Sequence, residues 1–226
     1  MAGCWIAVEP LGDMALLFRF ADESAAMTFA RLVRSADMRQ WGVLDVTGAY
    51  RTVSLHLGSG RWNKEELINT LGALNYQADI QPPTKHVVPV CYESGEDLDW
   101  VAKTLGLTRE EVICAHTGAT YTVFALGFIP GFAYLGWLPN LLSGLPRREV
   151  PRTAVPAGSV AIAEKQTGVY PSSVPGGWHL IGRTPCQIAR PESGYVPLQS
   201  GDNISFRAIN AAEFLALEGQ DIQKAV

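Results

Sequence analysis

At 226 residues the chain is long enough for one large domain or two modest ones, each with a real hydrophobic core. Hydrophobic residues make up 47% and charged residues 18%, with a formal net charge of −4, a globular composition sparing in charge. Lys and Arg never stand more than two together, which argues against a nucleic-acid partner, and MAGCWIAVEP lacks the basic region and long apolar stretch of a secretory leader, so a cytoplasmic protein is expected.

In chain order, Cys4-Trp-Ile-Ala-Val-Glu and Met14-Ala-Leu-Leu-Phe-Arg-Phe predict two strands paired around a Gly12-Asp13 turn. Asp22-Glu-Ser caps a helix through residues 25–33, whose apolar positions recur every three or four residues. Thr52-Val-Ser-Leu-His-Leu alternates as a strand, and Asn63 caps a helix over residues 64–74. This strand–helix alternation predicts a small α/β sandwich, ferredoxin-like in the broad sense. At Gln77-Ala-Asp-Ile-Gln-Pro-Pro-Thr-Lys85 two adjacent prolines forbid a helix or a central strand, which places a linker there. The domains are then residues 1–82 and 83–226. Beyond the linker, His86-Val-Val-Pro-Val-Cys-Tyr reads as a strand, and residues 97–105 and 108–115 as two short helices, the second opened by the capping box Thr108-Arg-Glu-Glu111.

No charge occurs between His116 and Arg147. The length would span a membrane. However, Gly127, Pro130, Gly131, Gly136 and Pro139 break the run every few residues, and irregular backbone in lipid leaves hydrogen bonds unmade, so no membrane span is expected. Tyr121-Thr-Val-Phe-Ala-Leu instead predicts a buried strand, and Ile129-Pro130-Gly131 a type II turn. From there to Phe206, short strands separated by Gly/Pro turns predict a barrel or sandwich. A terminal helix is expected near residues 213–217, and residues 218–226 are expected to be mobile. Cys4, Cys91, Cys114 and Cys186 are scattered, which fits free thiols better than disulfides or zinc; the four histidines also lack metal-ligand spacing.

The densest candidate for chemistry is Pro151 to Pro185. Val155-Pro-Ala-Gly-Ser-Val160 sets Gly158 where a ligand or another backbone can approach, beside Pro156, Ala157 and Ser159. Gln166-Thr-Gly-Val-Tyr170 and Pro175-Gly-Gly-Trp178 add an amide, a phenol, an indole and the bare backbone of Gly176 and Gly177. Arg152 is placed to clamp a carboxylate through two parallel donors. The competing view is that these Gly and Pro residues only shape tight β corners. His116 closes a predicted helix, where a structural role against the helix dipole competes with catalysis. There is no GxxxxGK[ST] loop and no GxGxxG after a strand.

Taken as an ordered set, these residues resemble the KipI/PxpB family, also labelled allophanate hydrolase subunit 1 and overlapping the carboxyltransferase part of urea carboxylase. The set is His116, Tyr121-x-Val, Leu126-Gly-Phe-x-Pro-Gly-Phe-x-Tyr-Leu135, Pro151-Arg152, Val155 to Val160, Gln166 to Pro171 and Pro175-Gly-Gly-Trp178…Ile181-Gly-x-Thr184. The resemblance implies an α+β chain: a small ferredoxin-like N-terminal domain, then a cyclophilin-like β-barrel. It implies one half of a heteromer with a KipA/PxpC-type (allophanate hydrolase subunit 2) partner and a LamB/PxpA-type lactam-utilisation subunit. The activity implied is ATP-dependent 5-oxoprolinase, with ATP and Mg at a site shared with a partner. On that reading His116, Arg152, Gln166 and Tyr170 are catalytic. Phe128, Phe132, Tyr134, Pro156, Ala157, Gly158, Ser159, Gly176, Gly177 and Trp178 bind substrate, an uncharged wall suited to a flat lactam with one carboxylate. Two alternatives stand beside it: a binding module that inhibits a histidine kinase, and a carboxyltransferase or allophanate hydrolase-type subunit acting on a urea-like amide. Glu164-Lys165 depart from the small residues that many members carry before Gln-Thr-Gly.

Overall fold

A computed structural model describes residues 4–59, 62–74 and 82–224. The chain divides into two compact units, Met1–Pro83 and Thr84–Val226. Residues 77–81 of the expected linker lie outside the described residues.

The first unit runs β1 (Ala7–Pro10), β2 (Ala15–Arg19), α1 (Glu23–Ser35), β3 (Val43–Ala49), β4 (Thr52–Leu57) and α2 (Lys64–Ala73). Its sheet order is β1-β2-β4-β3, every pairing antiparallel. Gly12, at φ 63°, takes the left-handed conformation that lets β1 fold back on β2. Asp22 accepts from the Ala25 amide at 2.8 Å and Asn63 from those of Glu65 and Glu66, as their cap positions demand. α1 packs on β3 and β4 and buries Phe29 against Phe18, Leu16 and Leu55. One strand was not foreseen. β3, VLDVTGA, alternates too weakly to stand out, and it pairs with β4 as a hairpin. The unit is therefore built from antiparallel hairpins with helices, not from the βαβ crossovers of a ferredoxin-like sheet.

The second unit runs β5 (Lys85–Val90), α3 (Leu98–Leu105), α4 (Arg109–Thr117), β6 (Thr120–Leu126), β7 (Ala133–Gly136), β8 (Arg152–Val155), β9 (Ser159–Ala163), β10 (Gln166–Val169), β11 (Val174–Gly176), β12 (His179–Arg183), β13 (Asn203–Ala208), α5 (Ala211–Leu217) and β14 (Gln223–Lys224). One ladder passes β5-β13-β6-β7-β10-β9-β12, parallel only at β5–β13. No closed barrel forms among the described residues. The return from β12 to β5 is a single bridge, Cys91 with Arg183, because the chain leaves the ladder at a 3-10 turn over Tyr92–Ser94. The capping box at Thr108 and Glu111 is present on both sides. Residues 218–224 are fixed rather than loose: β14 pairs with β5, and Ile222 is buried.

The uncharged run is mostly core. Tyr121, Val123, Phe132 and Leu135 are buried, while Phe128 and Trp137 are exposed. Gly131 has φ 84° and the Phe132 amide donates to the Ile129 carbonyl at 3.1 Å, the bond and glycine conformation of a type II turn. Among the described residues no helix is long and apolar enough to cross a membrane.

Candidate functional site

Two polar clusters hold residues singled out from the sequence. The first surrounds His116, in the last turn of α4, which is completely buried. Its Nδ1 lies 2.7 Å from the Tyr92 hydroxyl and its Nε2 2.9 Å from Thr167 Oγ1. Thr167 spends its own proton on the Ala161 carbonyl at 3.0 Å, so His116 donates through Nε2 and accepts from Tyr92 through Nδ1. Burial pushes the Tyr92 phenol up, which keeps that donor protonated, and holds His116 down at about 3. The ring stacks on Phe206 at 4.4 Å. Both nitrogens are spent and the imidazole is neutral, so His116 reaches no ligand in this arrangement.

The second cluster is centred on Arg152. β8 and β11 form a separate two-stranded ribbon that sets Arg152 opposite Gly176. Arg152 Nη2 donates to Asp97 Oδ1 at 2.8 Å and reaches Glu96 at 3.3 Å, and Arg148 Nη1 donates to the same Asp97 oxygen at 3.2 Å. Asp97 Oδ2 accepts from the Leu180 amide at 2.7 Å. Burial pushes the Asp97 carboxyl up, but the Arg152 hydrogen bond, the Leu180 amide and the charges of Arg152 and Arg148 outweigh it and leave it below the usual carboxylate range. The carboxylate that Arg152 was expected to take from a ligand is thus supplied by the chain itself. Arg152 Nη1 and Arg148 Nε remain buried without a partner among the described residues.

An aromatic group adjoins this ribbon. Phe132 makes edge-to-face contacts with Tyr134, Tyr170 and Trp178 at 5.0–5.7 Å between ring centres. Tyr170 and Trp178 are buried and Tyr134 is half-buried. Gly176 has no room for a Cβ because the Tyr170 phenol occupies that space. Phe128 sits outside, 59% exposed with φ 72°, its ring edge-on to Phe132 at 5.6 Å. The structure therefore gathers Arg152, Gly176, Tyr170, Trp178, Phe132 and Tyr134, with Phe128 at the rim and Gly177 in the turn that follows. It sets His116 apart in the core, beside Thr167 rather than Arg152. Gln166 lies between Ala163 and Gly136 in the ladder. The turn carrying Pro156, Ala157, Gly158 and Ser159 is tied to Tyr170 by its backbone, Gly158 N to Tyr170 O at 2.8 Å, but packs against Thr184.

Asp97 was missed, while Arg148, which together with Arg147 follows the uncharged run and was expected at most to attract an anion, turns out to share Asp97 with Arg152. Asp97 occupies the N-cap position of α3 and reads as a cap in sequence, yet its side chain makes no capping bond and turns to the arginines instead. No local signal separates these two uses of an aspartate; only the fold brings residue 97 to residue 152. Among the described residues no three His, Cys, Asp or Glu side chains cluster as metal ligands.

A family model described as the carboxyltransferase domain, subdomain C and D, matches residues 6–196. The B subunit of 5-oxoprolinase from Bacillus subtilis is 48% identical over 92% of this chain and 95% of its own length. The crystal structure of TTHA0988 superposes with a TM-score of 0.73 at 32% identity, covering 91% of this chain, which spans only 41% of that longer one. The urea carboxylase of Kluyveromyces lactis, at 17% identity and a TM-score of 0.62, shares the fold over 99% of this chain and 25% of its own.

Proposed function

The chain belongs to the carboxyltransferase family of subdomains C and D, within it to the KipI/PxpB group, and on that premise we propose that it is the B subunit of a heteromeric, ATP-dependent 5-oxoprolinase that opens the pyroglutamate lactam to glutamate. The observation that carries this is the near full-length identity to a relative named for that activity. With it goes the description of residues 84–226 as an opened, cyclophilin-like barrel, supported by a ladder that returns to β5 through one bridge. The ferredoxin-like description of the first unit extends only to helices on an antiparallel sheet.

A five-membered lactam resists water until its carbonyl is activated, and ATP supplies that activation by phosphorylation. The sequence carries no phosphate-binding GxxxxGK[ST] loop, and Arg148 and Arg152 each already bond to Asp97. ATP with Mg is accordingly assigned to a KipA/PxpC-type partner or to the surface shared with it, and the isolated chain to inactivity. The contribution of this chain is a wall. Phe128 and Tyr134, backed by the buried Trp178, face the ring of the lactam, and Arg152, oriented by Asp97, takes the substrate carboxylate when its Nη1, buried and without a partner here, is uncovered in the complex. His116 acts through Thr167 as a positioning residue that holds α4 to β10.

The test is reconstitution with the KipA/PxpC-type and LamB/PxpA-type subunits, followed by 5-oxoproline-dependent release of phosphate and glutamate. Arg152→Ala should lower kcat/KM by a factor corresponding to about 2–4 kcal/mol, and Arg152→Lys should recover part of it, since an ammonium cannot hold Asp97 and the substrate carboxylate through separate, fixed nitrogens. Turnover by the isolated chain, or full activity of Arg152→Ala in the complex, would overturn these assignments. Carboxylation of a urea-like amide with a biotin-bearing partner, in place of lactam opening, would replace the function itself.

A further inference from the structure

The turn at Pro156–Ser159, the segment 183–188 and the end of α5 enclose a cleft of about 140 Å³, separate from the Arg152 cluster. A cavity of ~150 Å³ takes up a benzene-sized molecule, so this one suits a ligand of similar bulk. Cys186, Ile188 and Phe214 supply apolar lining. Gly158 is held at φ 80°, and a Cβ there would run into the Thr184 carbonyl, so the turn is pinned in place against the segment that follows β12.

The charges around the cleft differ in one respect. Arg190 is paired with Asp221 at 2.6 Å and Arg207 with Glu213 at 2.7 Å. Arg183 and Glu218 both line the cleft, and neither makes an ion pair, with each other or with any other described residue. Arg183 donates through Nε to the Ala157 carbonyl at 3.0 Å, which orients the guanidinium and leaves its two outer nitrogens for something else. Glu218 closes α5, with its amide donating to the Leu215 carbonyl. The last carbonyls of α5 are already taken, Ala216 by the Gln220 side chain and Leu217 by the Gln220 amide, so the Glu218 carboxylate is the negative group of the lining. The lining of a small cleft therefore holds one cation and one anion, neither of them paired. A ligand with a single charge would leave one of them unmatched, and a neutral one both.

We propose that this cleft binds a small free α-amino acid as its zwitterion. Its carboxylate meets the outer nitrogens of Arg183, its ammonium meets the Glu218 carboxylate, and a short side chain rests on Cys186, Ile188 and Phe214. The proposal does not depend on the oxoprolinase reading and stands or falls separately from it.

The test is an NMR titration of the full ¹⁵N-labelled chain with L-alanine and L-serine, read at the amides of Gly158, Thr184 and Gly219. Saturable shifts at these amides are expected. L-alaninamide, which lacks the carboxylate, and N-acetyl-L-alanine, which lacks the ammonium, should each bind at least about tenfold more weakly, the loss of one charge-assisted contact. In Arg183→Gln the difference between L-alanine and L-alaninamide should vanish, and in Glu218→Gln that between L-alanine and N-acetyl-L-alanine. Shifts that never saturate, or equal affinity for all three compounds, would overturn the proposal. If a variant's own spectrum shows a lost fold, the three-compound comparison on the unaltered chain decides alone.

Discussion

His116 and Arg152 lie in the same unit, and each is a polar group set into apolar surroundings. Around His116 donors and acceptors balance: Tyr92 gives to Nδ1, Nε2 gives to Thr167, Thr167 gives to Ala161. Around Arg152 they do not. Two guanidinium groups share Oδ1 of Asp97, with an exposed Glu96 at the edge, and two buried nitrogens are left over. A balanced network stiffens a core, because any outside partner would have to displace a bond already made. An unbalanced one carries a standing cost that a ligand or a partner subunit can relieve. A histidine at a helix end within the family-like set drew attention to residue 116; the count of unspent donors is what points to residue 152.

The largest effect should come from breaking the balanced network. His116→Ala removes a fully buried ring that stacks on Phe206 and orphans the Tyr92 hydroxyl, so urea unfolding should show a loss of about 3–5 kcal/mol. A loss below about 1 kcal/mol would mean that the network holds nothing, and the contrast drawn above would collapse.

The two clusters should also titrate apart. Burial holds His116 at about 3 in the folded chain against 6.5 ordinarily, so below pH 6.5 the unfolded chain takes up the proton first. Its contribution to stability is complete above pH 6.5 and declines as the pH falls toward 3, with a slope near 1.4 kcal/mol per pH unit. Between pH 6.5 and 4.5 that amounts to about 2–3 kcal/mol. The Asp97 carboxyl lies below its ordinary 3.8, so its contribution is lost only under more acidic conditions, as the pH falls below 3.8 through the folded value. Urea midpoints at pH 7, 5.5 and 4.5 separate the two. His116→Gln should flatten this range; an unchanged slope would assign it to other histidines.

Asp97→Ala leaves both arginines facing each other without their shared acceptor and strips the Leu180 amide of its partner. Because Arg148 and Arg152 retain some solvent access, the expected loss is about 2 kcal/mol rather than the full cost of a sealed charge. Asp97→Asn keeps an acceptor for Leu180 and should fall between. If Asp97→Ala unfolds at the same urea concentration as the unaltered chain, the arginines are held by something other than this carboxylate.

Much of the fold was legible wherever a rule acts over a few residues. Asp22, Asn63 and the Thr108–Glu111 box cap the helices they were expected to cap, and Pro130-Gly131 makes its turn. β3 was not legible, since residues 43–49 bury only alternate-to-irregular positions and look like loop without β4 beside them. Nor was the opening of the barrel, which follows from one bridge between residues 91 and 183. In the site, the aromatic residues were legible as a group because the uncharged run announces them. Phe128, Phe132 and Trp178 all lie just outside the strands, so which of them is buried depends on where the loops carry them and not on strand alternation. Asp97 was hidden because a capping aspartate and a buried ion-pair aspartate are the same letter.

The smallest effect on stability, and the sharpest on the open cluster, belongs to Phe128. A phenylalanine at φ 72° carries a backbone strain of roughly 1–2 kcal/mol, and its ring, 59% exposed, recovers only an edge contact with Phe132. Glycine relieves the strain but loses that contact, on the order of 0.5–1.5 kcal/mol, and adds freedom to the unfolded chain, about 0.5–1 kcal/mol more. Phe128→Gly should therefore unfold within about 1 kcal/mol of the unaltered chain. Phe128→Ala keeps the strained backbone and loses the ring, and should be the less stable of the two. If the ring is held in place to meet substrate or partner, both variants should lower activity of the reconstituted complex to a similar degree despite their different stabilities. Activity that follows stability instead would return Phe128 to the core cluster and leave the open region with Arg152 alone.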